Sequence, residues 1–434
     1  MKKIASKTFG CKVNQYETSC IVDEFLNRGY KKCEFSEIAD VYIINTCTVT
    51  NRTDYKSRNA IRKALKKKQE YSNAKVVVTG CYSQRKKEEI KALGAVDLIV
   101  DNNSKSKIYR LLNTKNEPEL FNSLVNACQF DELSTNQMLD KTRAFVKVQD
   151  GCDYFCAYCA IPYARGHSRS RDKDNVLKQI EKLVAGGYKE FVLGGINLGL
   201  YGKEKEDHYL LPQLIDDIEK IEGVKLIRLS SIEPELITNE LLTCFKNSKK
   251  VCPHFHIPLQ VGSDELLKKM NRRYTTSQFT KTIKSIKNVF PNAAIGIDVI
   301  TGVPGETDRL FQQTYDYLKD LDFTYLHVFS YSKRPGTKAA EMKDQIHGNV
   351  IKARTKELIE LSNHKTRIYQ QNILNKGIEL SAIAEQKVND YWTALSDHFI
   401  RIYTKDSEDI SGKYIKSKPI KMRNDGLEVI RLTK

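Results

Sequence analysis

Three cysteines stand close together in the sequence with the spacing of a metal-binding loop. Cys152, Cys156 and Cys159 form a Cys-x3-Cys-x2-Cys run. Three thiolates on one short loop can hold three irons of a cubane 4Fe-4S cluster, and the missing fourth ligand leaves one iron open to an external chelator. The alternative is a zinc site, which needs a fourth donor such as His167 and usually pairs two-residue spacings. The spacing therefore favours the cluster, and an open iron implies chemistry rather than electron storage alone.

Three further cysteines each follow a short β-branched run near the start of the chain. They are Cys11, Cys47 and Cys81. Because the carboxyl ends of parallel strands lie along one edge of a sheet, these thiols would converge there. The alternative is that each is a small buried hydrophobic side chain, which is common for lone cysteines. The shared position at strand ends and the small or polar neighbours favour a second metal-binding trio.

The elements that position these thiols fall into three predicted domains, as a chain of 434 residues allows. Residues 1–112 alternate strand and helix patterns, which predicts an α/β domain with a doubly wound parallel sheet. Residues 113–140 are polar and predict a linker. Residues 141–374 contain six strand candidates separated by helical patterns, too few for a closed eight-stranded barrel, so we expect an open, partial (β/α)6 barrel. Residues 375–434 predict a small β-barrel.

The predicted strands are short, apolar and often β-branched. They are residues 4–8, 41–45, 76–79 and 98–100 in the first domain, 144–148, 191–194, 226–230, 254–259, 294–300 and 325–330 in the second, and 378–383, 399–403, 414–415 and 427–432 in the third.

Composition narrows the class of protein and suggests its partner. With 40% hydrophobic and 29% charged residues, the chain has no apolar run close to the ~20 residues of a membrane span. Residues 1–10 contain no apolar signal segment, so we expect a cytoplasmic protein, in which eleven cysteines indicate metal or catalytic use rather than disulfides. A net charge of +17 favours a polyanionic partner such as RNA. Arg165, Arg169 and Arg171, just after the cysteine loop, are predicted to contact the RNA backbone.

The remaining cysteines and a Cys-x-His-x-His segment are weaker candidates. Cys252, His254 and His256 fall on one face of a strand, because strand residues two apart share a face, so we expect at least one of them to line the barrel cavity rather than bind a metal. The other thiols are predicted to be structural or incidental; they are Cys20, Cys33, Cys128 and Cys244.

The cysteine loop resembles that of the radical S-adenosylmethionine superfamily, in which the open iron binds the methionine part of the cofactor and the cluster cleaves its sulfonium. The sequence motifs around the first trio are similar to motifs in the N-terminal domain of methylthiotransferases. They are Thr8-Phe-Gly-Cys-Lys-Val-Asn-Gln-Tyr-Glu17, Asn45-Thr-Cys-Thr-Val49 and Val78-Thr-Gly-Cys-Tyr-Ser-Gln84. In that family such a trio binds a second 4Fe-4S cluster, and the final β-barrel is an RNA-binding TRAM domain.

Further sequence motifs that resemble those of this family occur through the middle of the chain. They are Pro162-Tyr-Ala-Arg-Gly-His-Ser-Arg-Ser-Arg171, Arg228-Leu-Ser-Ser-Ile-Glu-Pro234, Met270-Asn-Arg-Arg-Tyr274, Thr301-Gly-Val-Pro-Gly-Glu-Thr307 and His327-Val-Phe-Ser-Tyr-Ser-Lys-Arg-Pro-Gly-Thr337. Two motifs differ from the usual family sequence. Leu259-Gln-Val-Gly-Ser263 replaces the usual Leu-Gln-Ser-Gly-Ser, and Gly194-Gly-Ile-Asn197 replaces the usual Thr-Gly-Val-Asn.

The resemblance implies a set of cofactor contacts in addition to the six cysteine ligands. The residues expected to contact S-adenosylmethionine are Tyr158, Gly194, Gly195, Ser231, Glu233, Ile300 and Gly302.

The implied function is a tRNA methylthiotransferase with two 4Fe-4S clusters and S-adenosylmethionine, which adds a methylthio group at C2 of threonylcarbamoyladenosine next to the anticodon. Its implied partners are tRNA, a low-potential electron donor and a sulfur donor. The alternatives within this chemistry are isopentenyladenosine in tRNA and a ribosomal-protein aspartate. The alternative from another class is a non-catalytic RNA-binding iron-sulfur protein.

Overall fold

The computed structural model describes residues 1–114, 129–139, 142–205 and 209–432. The N-terminal part is a five-stranded parallel sheet with the order β2-β1-β3-β4-β5. Its elements are β1 (Lys3–Thr8), α1 (Lys12–Leu26), β2 (Lys31–Lys32), β3 (Val41–Thr46), α2 (Asn51–Glu70), β4 (Lys75–Gly80), α3 (Cys81–Arg85), α4 (Lys87–Lys91), β5 (Leu98–Ile99) and α5 (Ile108–Asn113).

Strand β3 shows why helices cover both faces of this sheet. All six of its residues are buried. Tyr42 and Ile44 pack with α2, α3 and α4, whereas Val41 and Ile43 pack with α1 and α5 on the other face. The alternation follows from the period of two in a strand. The predicted doubly wound parallel sheet is confirmed.

The middle part contains six parallel strands, each near its predicted position, with helices between them. Its elements are β6 (Ala144–Lys147), β7 (Gln149–Asp150), α6 (Ile161–Arg165), β8 (Arg169–Ser170), α7 (Lys173–Ala185), β9 (Glu190–Gly194), α8 (Leu211–Lys220), β10 (Leu226–Leu229), α9 (Asn239–Asn247), β11 (His254–Gln260), α10 (Asp264–Lys269), α11 (Thr276–Val289), β12 (Ala294–Thr301), α12 (Asp308–Asp320), β13 (Tyr325–Ser330), α13 (Lys338–Glu341) and α14 (Gly348–Asn375).

The six parallel strands form an open arc. Strands β10, β9 and β6 make one sheet and β11, β12 and β13 another, and a single bridge between Ile227 and Val251 joins them. No ladder pairs β6 with β13 among the described residues. The prediction of a partial (β/α)6 barrel is confirmed, and its open side faces the N-terminal domain through contacts between α1 and β6.

The C-terminal part is a closed barrel with the strand order β14-β15-β16-β18-β17. Its strands are β14 (Leu380–Val388), β15 (Tyr391–Ser396), β16 (Arg401–Thr404), β17 (Tyr414–Met422) and β18 (Leu427–Arg431). The small β-barrel was predicted, but β15 was missed. This strand follows β14 after a two-residue turn in which Asn389 has a φ of 53°, so the two strands form a tight hairpin.

The C-terminal barrel packs directly on the strands of the middle domain. The Phe399 ring stacks on the His254 imidazole with their centroids 4.2 Å apart. Arg228 forms an ion pair with Glu190 at 3.0 Å and donates to the backbone carbonyl of Ser396 at 2.9 Å. These three side chains, Phe399, His254 and Arg228, therefore tie the two domains together in the interior.

The described part of the predicted linker, residues 129–139, has no helix or strand but is well packed. Leu133 and Met138 are buried, and the Tyr16 hydroxyl donates to the Leu133 carbonyl at 2.7 Å. Cys128 lies outside the described residues. The domain boundaries at residues 112, 140 and 374 stay predictions.

Across the described residues, no helix combines the length and the apolar character that crossing a membrane requires.

Candidate active site

The Cys152 loop leaves β7 through a residue that only glycine suits. Gly151 has a φ of 71°, and a Cβ there would clash with the backbone carbonyl of His167. The loop is then held at both ends, because the Cys152 amide donates to the Gly166 carbonyl at 3.1 Å and the Ala157 amide donates to the Met270 carbonyl at 2.9 Å. The backbone therefore fixes the position of the thiols before any metal binds.

Each thiol of this loop has a hydrogen-bond donor beside it. Arg272 Nη1 is 3.1 Å from the Cys156 sulfur, the Ile161 amide is 3.4 Å from the Cys159 sulfur, and Asn197 Nδ2 is 3.9 Å from the Cys152 sulfur. Burial raises the pKa of Cys152 to about 11 and that of Cys159 to about 12. Since burial disfavours the free thiolates, positive metal ions are needed to hold them in the ionised form.

The donor set fits an iron-sulfur cluster better than zinc. Two sulfurs on one zinc ion would be about 4 Å apart, given Zn–S bonds of about 2.3 Å. Among the described residues, only His256, Asp298 and His327 bring three ligand atoms within 4.8 Å of one another, and neither cysteine trio does. His167, the candidate fourth zinc donor, instead bonds to Asp153 at 2.6 Å. The three thiolates of the loop are the ligand set that holds three corners of a cubane and leaves the fourth open.

The N-terminal trio is brought together at the sheet edge. Cys47 and Cys81 are buried, and Cys11 is exposed. Gly10 has a φ of 95°, and a Cβ there would clash with the Cys47 sulfur. Burial raises the pKa of Cys47 to about 12, with further contributions from Cys81 and Cys11, so the three thiols interact electrostatically. Asn102 Nδ2 lies 3.8 Å from the Cys81 sulfur.

Orphaned amide oxygens mark both trios. Asn197 Oδ1 and Asn102 Oδ1 are buried and have no hydrogen-bond partner. Each belongs to the amide whose nitrogen approaches a cysteine sulfur. Because an unpaired buried acceptor is costly, both positions fit a site completed by a bound group.

Several expected cofactor residues come together near the Cys152 loop. Arg272 forms a close ion pair with Glu233 and lies 3.4 Å from the Tyr158 hydroxyl. Burial raises the pKa of Glu233 to about 7. Ile300 and Tyr158 line one cavity of about 240 Å³ together with Cys159. No role was assigned to Arg272 from the sequence, although this residue lies within one of the motifs that resemble the family.

The other expected cofactor residues differ in their surroundings. Gly194 ends β9, and Gly195 lies so close to Gln149 that a Cβ would clash with its side chain. Ser231 follows β10 at the same edge and is half-buried. Gly302 directly follows β12; its amide donates to the Glu306 carboxylate at 2.7 Å, and a Cβ there would clash with Ile351 of α14.

One cavity is lined both by the segment that follows Cys47 and by the Cys152 loop. Its lining includes Val49 and Thr50, just after Cys47, as well as Tyr158 and Cys159. Arg334, in the segment after β13, also lines it and is buried. The Arg334 guanidinium forms a close ion pair with Asp54 and donates to Thr48 and Asn51 at 2.9 and 2.7 Å. This clamp, which sequence reasoning missed, holds the Cys47 loop against the partial barrel.

The three arginines predicted to contact RNA are buried, so that prediction is wrong. Arg165, Arg169 and Arg171 are 0%, 2% and 3% exposed. Arg169 pairs with Asp150 at 3.2 Å, and Arg171 pairs with Glu132 at 2.9 Å. Their positive charges are neutralised in the interior, so they offer nothing to a phosphate.

Arg165 instead sits at the centre of a buried ionic network between the first two domains. Arg165 Nη1 lies 2.9 Å from both Glu17 Oε1 and Asp150 Oδ1. Lys147 joins the same two carboxylates at 3.0 Å each, and Lys105 forms a close ion pair with Glu17. The pKa of Asp150 lies well below its usual range, because the neighbouring cations outweigh the effect of burial.

The weaker metal candidates separate in the structure. Cys252 is buried in a small apolar cluster, and His254 packs in the stack with Phe399. His256 alone of these three joins a polar group, with Asp298 and His327. Cys20 and Cys244 are buried and Cys33 is half-buried, all as free thiols.

Comparison with known proteins decides the family. Residues 3–101 match the model described as "Uncharacterized protein family UPF0004", and residues 146–318 match the Radical SAM superfamily model. A Bacillus subtilis protein named "Threonylcarbamoyladenosine tRNA methylthiotransferase MtaB" is 40% identical over 97% of this chain and 94% of its own. The chain belongs to the methylthiotransferase family.

Other members of the methylthiotransferase family are similar over most of the chain. The MtaB protein of Aquifex aeolicus is 39% identical over 88% of this chain and 92% of its own. A Natranaerobius thermophilus protein named "tRNA-2-methylthio-N(6)-dimethylallyladenosine synthase" is 34% identical over 87% of this chain and 86% of its own.

Solved structures support the radical SAM fold of this methylthiotransferase family member. The radical S-adenosylmethionine methyltransferase TsrM from Kitasatospora setae, solved with cobalamin and a 4Fe-4S cluster, has a TM-score of 0.60 at 14% identity and matches 78% of this chain and 74% of its own. This likeness concerns the fold alone.

Proposed function

We propose that this protein is a tRNA methylthiotransferase that adds a methylthio group to C2 of threonylcarbamoyladenosine. One observation carries the proposal: two separate trios of thiols, Cys11, Cys47 and Cys81 on one side and Cys152, Cys156 and Cys159 on the other, belong to domains that share one cavity. A non-catalytic binder has no need of two incomplete metal sites. The names of the relatives that match nearly the whole chain support the same chemistry.

The proposed cofactors are two 4Fe-4S clusters and S-adenosylmethionine. When bound, they supply the radical that removes a hydrogen atom from an unactivated carbon. Each trio would hold a cluster by three thiolates and leave one iron open. Asn197, whose Nδ2 lies 3.9 Å from the Cys152 sulfur, would border a cluster bound there, and Gln149 holds that segment by accepting the Asn197 backbone amide proton at 2.8 Å.

The chain's own charged residues prepare the space beside the Cys152 loop. Arg272 places its guanidinium between the Cys156 sulfur and the Glu233 carboxylate, so it stabilises thiolate and carboxylate together. Tyr158, whose hydroxyl lies 3.4 Å from Arg272 Nη1, is held in the same network. These groups would orient a polar cofactor with few free waters, because Arg272 and Glu233 are largely buried.

Exposed apolar side chains at the mouth of the cavity support an RNA substrate. Val49, Tyr163 and Phe329 are 49%, 47% and 49% exposed. Val49 and Phe329 line the cavity, and Tyr163 follows Ile161, which also lines it. Aromatic faces of this kind stack on nucleobases that leave a helix, which a target base must do to reach the cavity.

The closed β-barrel offers a second RNA contact of a suitable kind. The Arg423 guanidinium lies between the rings of Tyr391 and Tyr403, 4.4 and 4.6 Å from their centroids. Lys405 Nζ lies 5.2 Å from the Tyr391 centroid. Cations arranged over aromatic rings bind single-stranded nucleic acid by charge and stacking.

The reaction would also require a low-potential electron donor and a sulfur donor, and a tRNA substrate places it in the cytoplasm. The principal alternative substrate is dimethylallyladenosine in tRNA, because relatives of that name are also similar over most of the chain.

Nucleoside analysis tests the proposal. tRNA from a deletion strain should lack 2-methylthio-threonylcarbamoyladenosine and accumulate the unmethylthiolated nucleoside, and the wild-type gene should restore it. A strain complemented with the Cys152→Ala variant serves as the matched control. Loss of the methylthio group from dimethylallyladenosine instead would assign the alternative, and unchanged nucleosides would reject both.

A further inference from the structure

A polar group lies on three adjacent strands of the partial barrel. We name His256, Asp298 and His327, from β11, β12 and β13, the His-Asp-His group. Asp298 Oδ1 lies 2.7 Å from His256 Nε2 and 3.4 Å from His327 Nδ1. The three side chains are 15%, 19% and 45% exposed, so the group borders open space rather than the core.

Two of the strands that carry the His-Asp-His group, β12 and β13, also line the cavity beside Cys159. Ile300 and Phe329 line that cavity beside Cys159. Asp298 and His327 precede them by two residues on the same strands, and strand residues two apart share a face. Asp298 and Ile300, and likewise His327 and Phe329, are about 7 Å apart along their strand, given a rise of about 3.3 Å per residue. An adenine in the cavity would thus have the group within reach of a substituent.

One cation from the N-terminal domain lies beside β6, at the open side of the partial barrel. Lys12 directly follows Cys11, and its ammonium lies 5.9 Å from the centroid of the Phe145 ring on β6. Among the described residues it has no ion-pair partner within 4 Å. Burial lowers the pKa of His254, and the positive charge of Arg228 lowers it further. His256, His327 and Lys12 also lower this pKa, so the charges of these groups act on the same interior region.

We propose that Lys12 and the His-Asp-His group bind the threonyl part of threonylcarbamoyladenosine, the ammonium facing its carboxylate and the imidazoles facing its hydroxyl. The inference rests on the proposed function and assigns the residues that select this substrate. Threonine is joined to the base through its amino nitrogen, so its carboxylate and hydroxyl are free to be recognised.

The hydrogen-bonding chemistry matches this ligand. The His256 imidazole hydrogen-bonds to Asp298, and His327 Nδ1 lies 3.4 Å from the same carboxylate, so in each neutral ring the nitrogen that faces away from Asp298 can accept a hydroxyl proton. An unpaired ammonium suits a carboxylate. A dimethylallyl substituent offers neither group and would desolvate these polar atoms without giving them a partner, which is unfavourable. The same polar wall therefore selects against the alternative substrate.

Binding of modified stem-loops to the cluster-loaded enzyme tests the inference. Three labelled anticodon stem-loops of one sequence would carry threonylcarbamoyladenosine, dimethylallyladenosine or unmodified adenosine. Wild type should prefer the first, and Lys12→Met and His327→Leu should each reduce that preference by about tenfold or more. The double variant should gain relative affinity for the dimethylallyl stem-loop. Iron content, measured in every variant, shows whether the clusters are intact.

Lys7→Met is the matched control, because it removes an exposed lysine from β1 in the same domain and should keep the wild-type preference. Unchanged preference in both test variants would overturn the inference while leaving methylthiolation of threonylcarbamoyladenosine standing. A stoichiometric divalent metal ion bound by wild type and lost in His327→Leu would also overturn it. Failure of the nucleoside analysis would instead reject the proposed function itself.

Discussion

The Arg165 guanidinium forms two hydrogen bonds to the Glu17 carboxylate, at 2.9 Å from Nη1 to Oε1 and 3.2 Å from Nη2 to Oε2, with both side chains buried. Arg165 follows the Cys152 loop, and Glu17 lies on α1 a few residues after Cys11. The pair therefore joins the two domains that carry the cysteine trios. It also explains why Arg165, although it belongs to a basic sequence motif, cannot contact RNA.

Removing this buried cation should strongly destabilise the protein. Arg165→Met would leave the carboxylates of Glu17 and Asp150 short of a partner, and breaking a buried pair in this way costs about 3–5 kcal/mol. Chemical unfolding measures the loss. Arg309→Met is the control, since Arg309 forms an exposed pair with Glu265 at 3.0 Å and should cost about 1 kcal/mol or less. Equal losses in the two variants would contradict the network's role.

Iron content should report the two trios independently. Wild-type protein reconstituted without oxygen should bind about eight irons, and the Cys152→Ala, Cys156→Ala, Cys159→Ala variant about four. A Cys20→Ala variant, which removes a buried thiol outside both trios, should keep the full number. An iron content near eight in the triple variant would show that the loop holds no cluster.

The two clusters should differ in what they support. A Cys11→Ala, Cys47→Ala, Cys81→Ala variant should still cleave S-adenosylmethionine to 5′-deoxyadenosine under reducing conditions, because the second trio alone leaves an open iron. It should form no methylthio product on tRNA, since the site proposed to hold sulfur is lost. Methylthiolated adenosine from this variant would return the N-terminal trio to a structural role.

The stability of the metal-free protein should depend on pH through Glu233. Burial raises its pKa from 4.5 to about 7, so folding favours the protonated form. This contribution is fully present below pH of about 4 and is lost as pH rises through about 7, by on the order of 3 kcal/mol. The unfolding free energies of wild type and Glu233→Gln should therefore diverge between pH 4 and 8. A constant difference would show that Glu233 ionises normally.

Lysines on one strand of the closed barrel should contribute to tRNA affinity. Lys416, Lys418 and Lys421 are exposed on β17. Changing all three to Gln should weaken binding and reduce the slope of log affinity against log salt by about 0.9 for each phosphate that the variant no longer neutralises. The control changes three exposed lysines elsewhere, Lys225, Lys281 and Lys284, to Gln.

These substitutions test the tail better than its removal does. Deleting residues 376–434 would expose His254 and leave Arg228 without its backbone acceptor at Ser396. A loss of tRNA binding after that deletion could then reflect damage to the middle domain. An unchanged salt slope in the Lys416, Lys418 and Lys421 variant would reject RNA binding by this strand.

Local sequence patterns predicted most of the architecture of this protein. Period-two apolar runs and intervening helical patterns predicted the doubly wound sheet, six strands of the partial barrel and four of the five strands of the closed barrel. The spacing of Cys152, Cys156 and Cys159 predicted a metal-binding loop, because those ligands come from one short segment whose geometry depends on few distant contacts.

Only the tertiary structure decided which charged side chains face solvent. Arg165, Arg169 and Arg171 have the composition of an RNA contact, but two of their carboxylate partners come from other domains or segments, since Glu17 lies 148 residues from Arg165 and Glu132 lies 39 residues from Arg171. The same holds for Arg334, whose partners lie about 280 residues away, and for the His-Asp-His group, assembled from three strands. Sequence periodicity reports the face of an element, whereas partners across domains depend on how those faces meet.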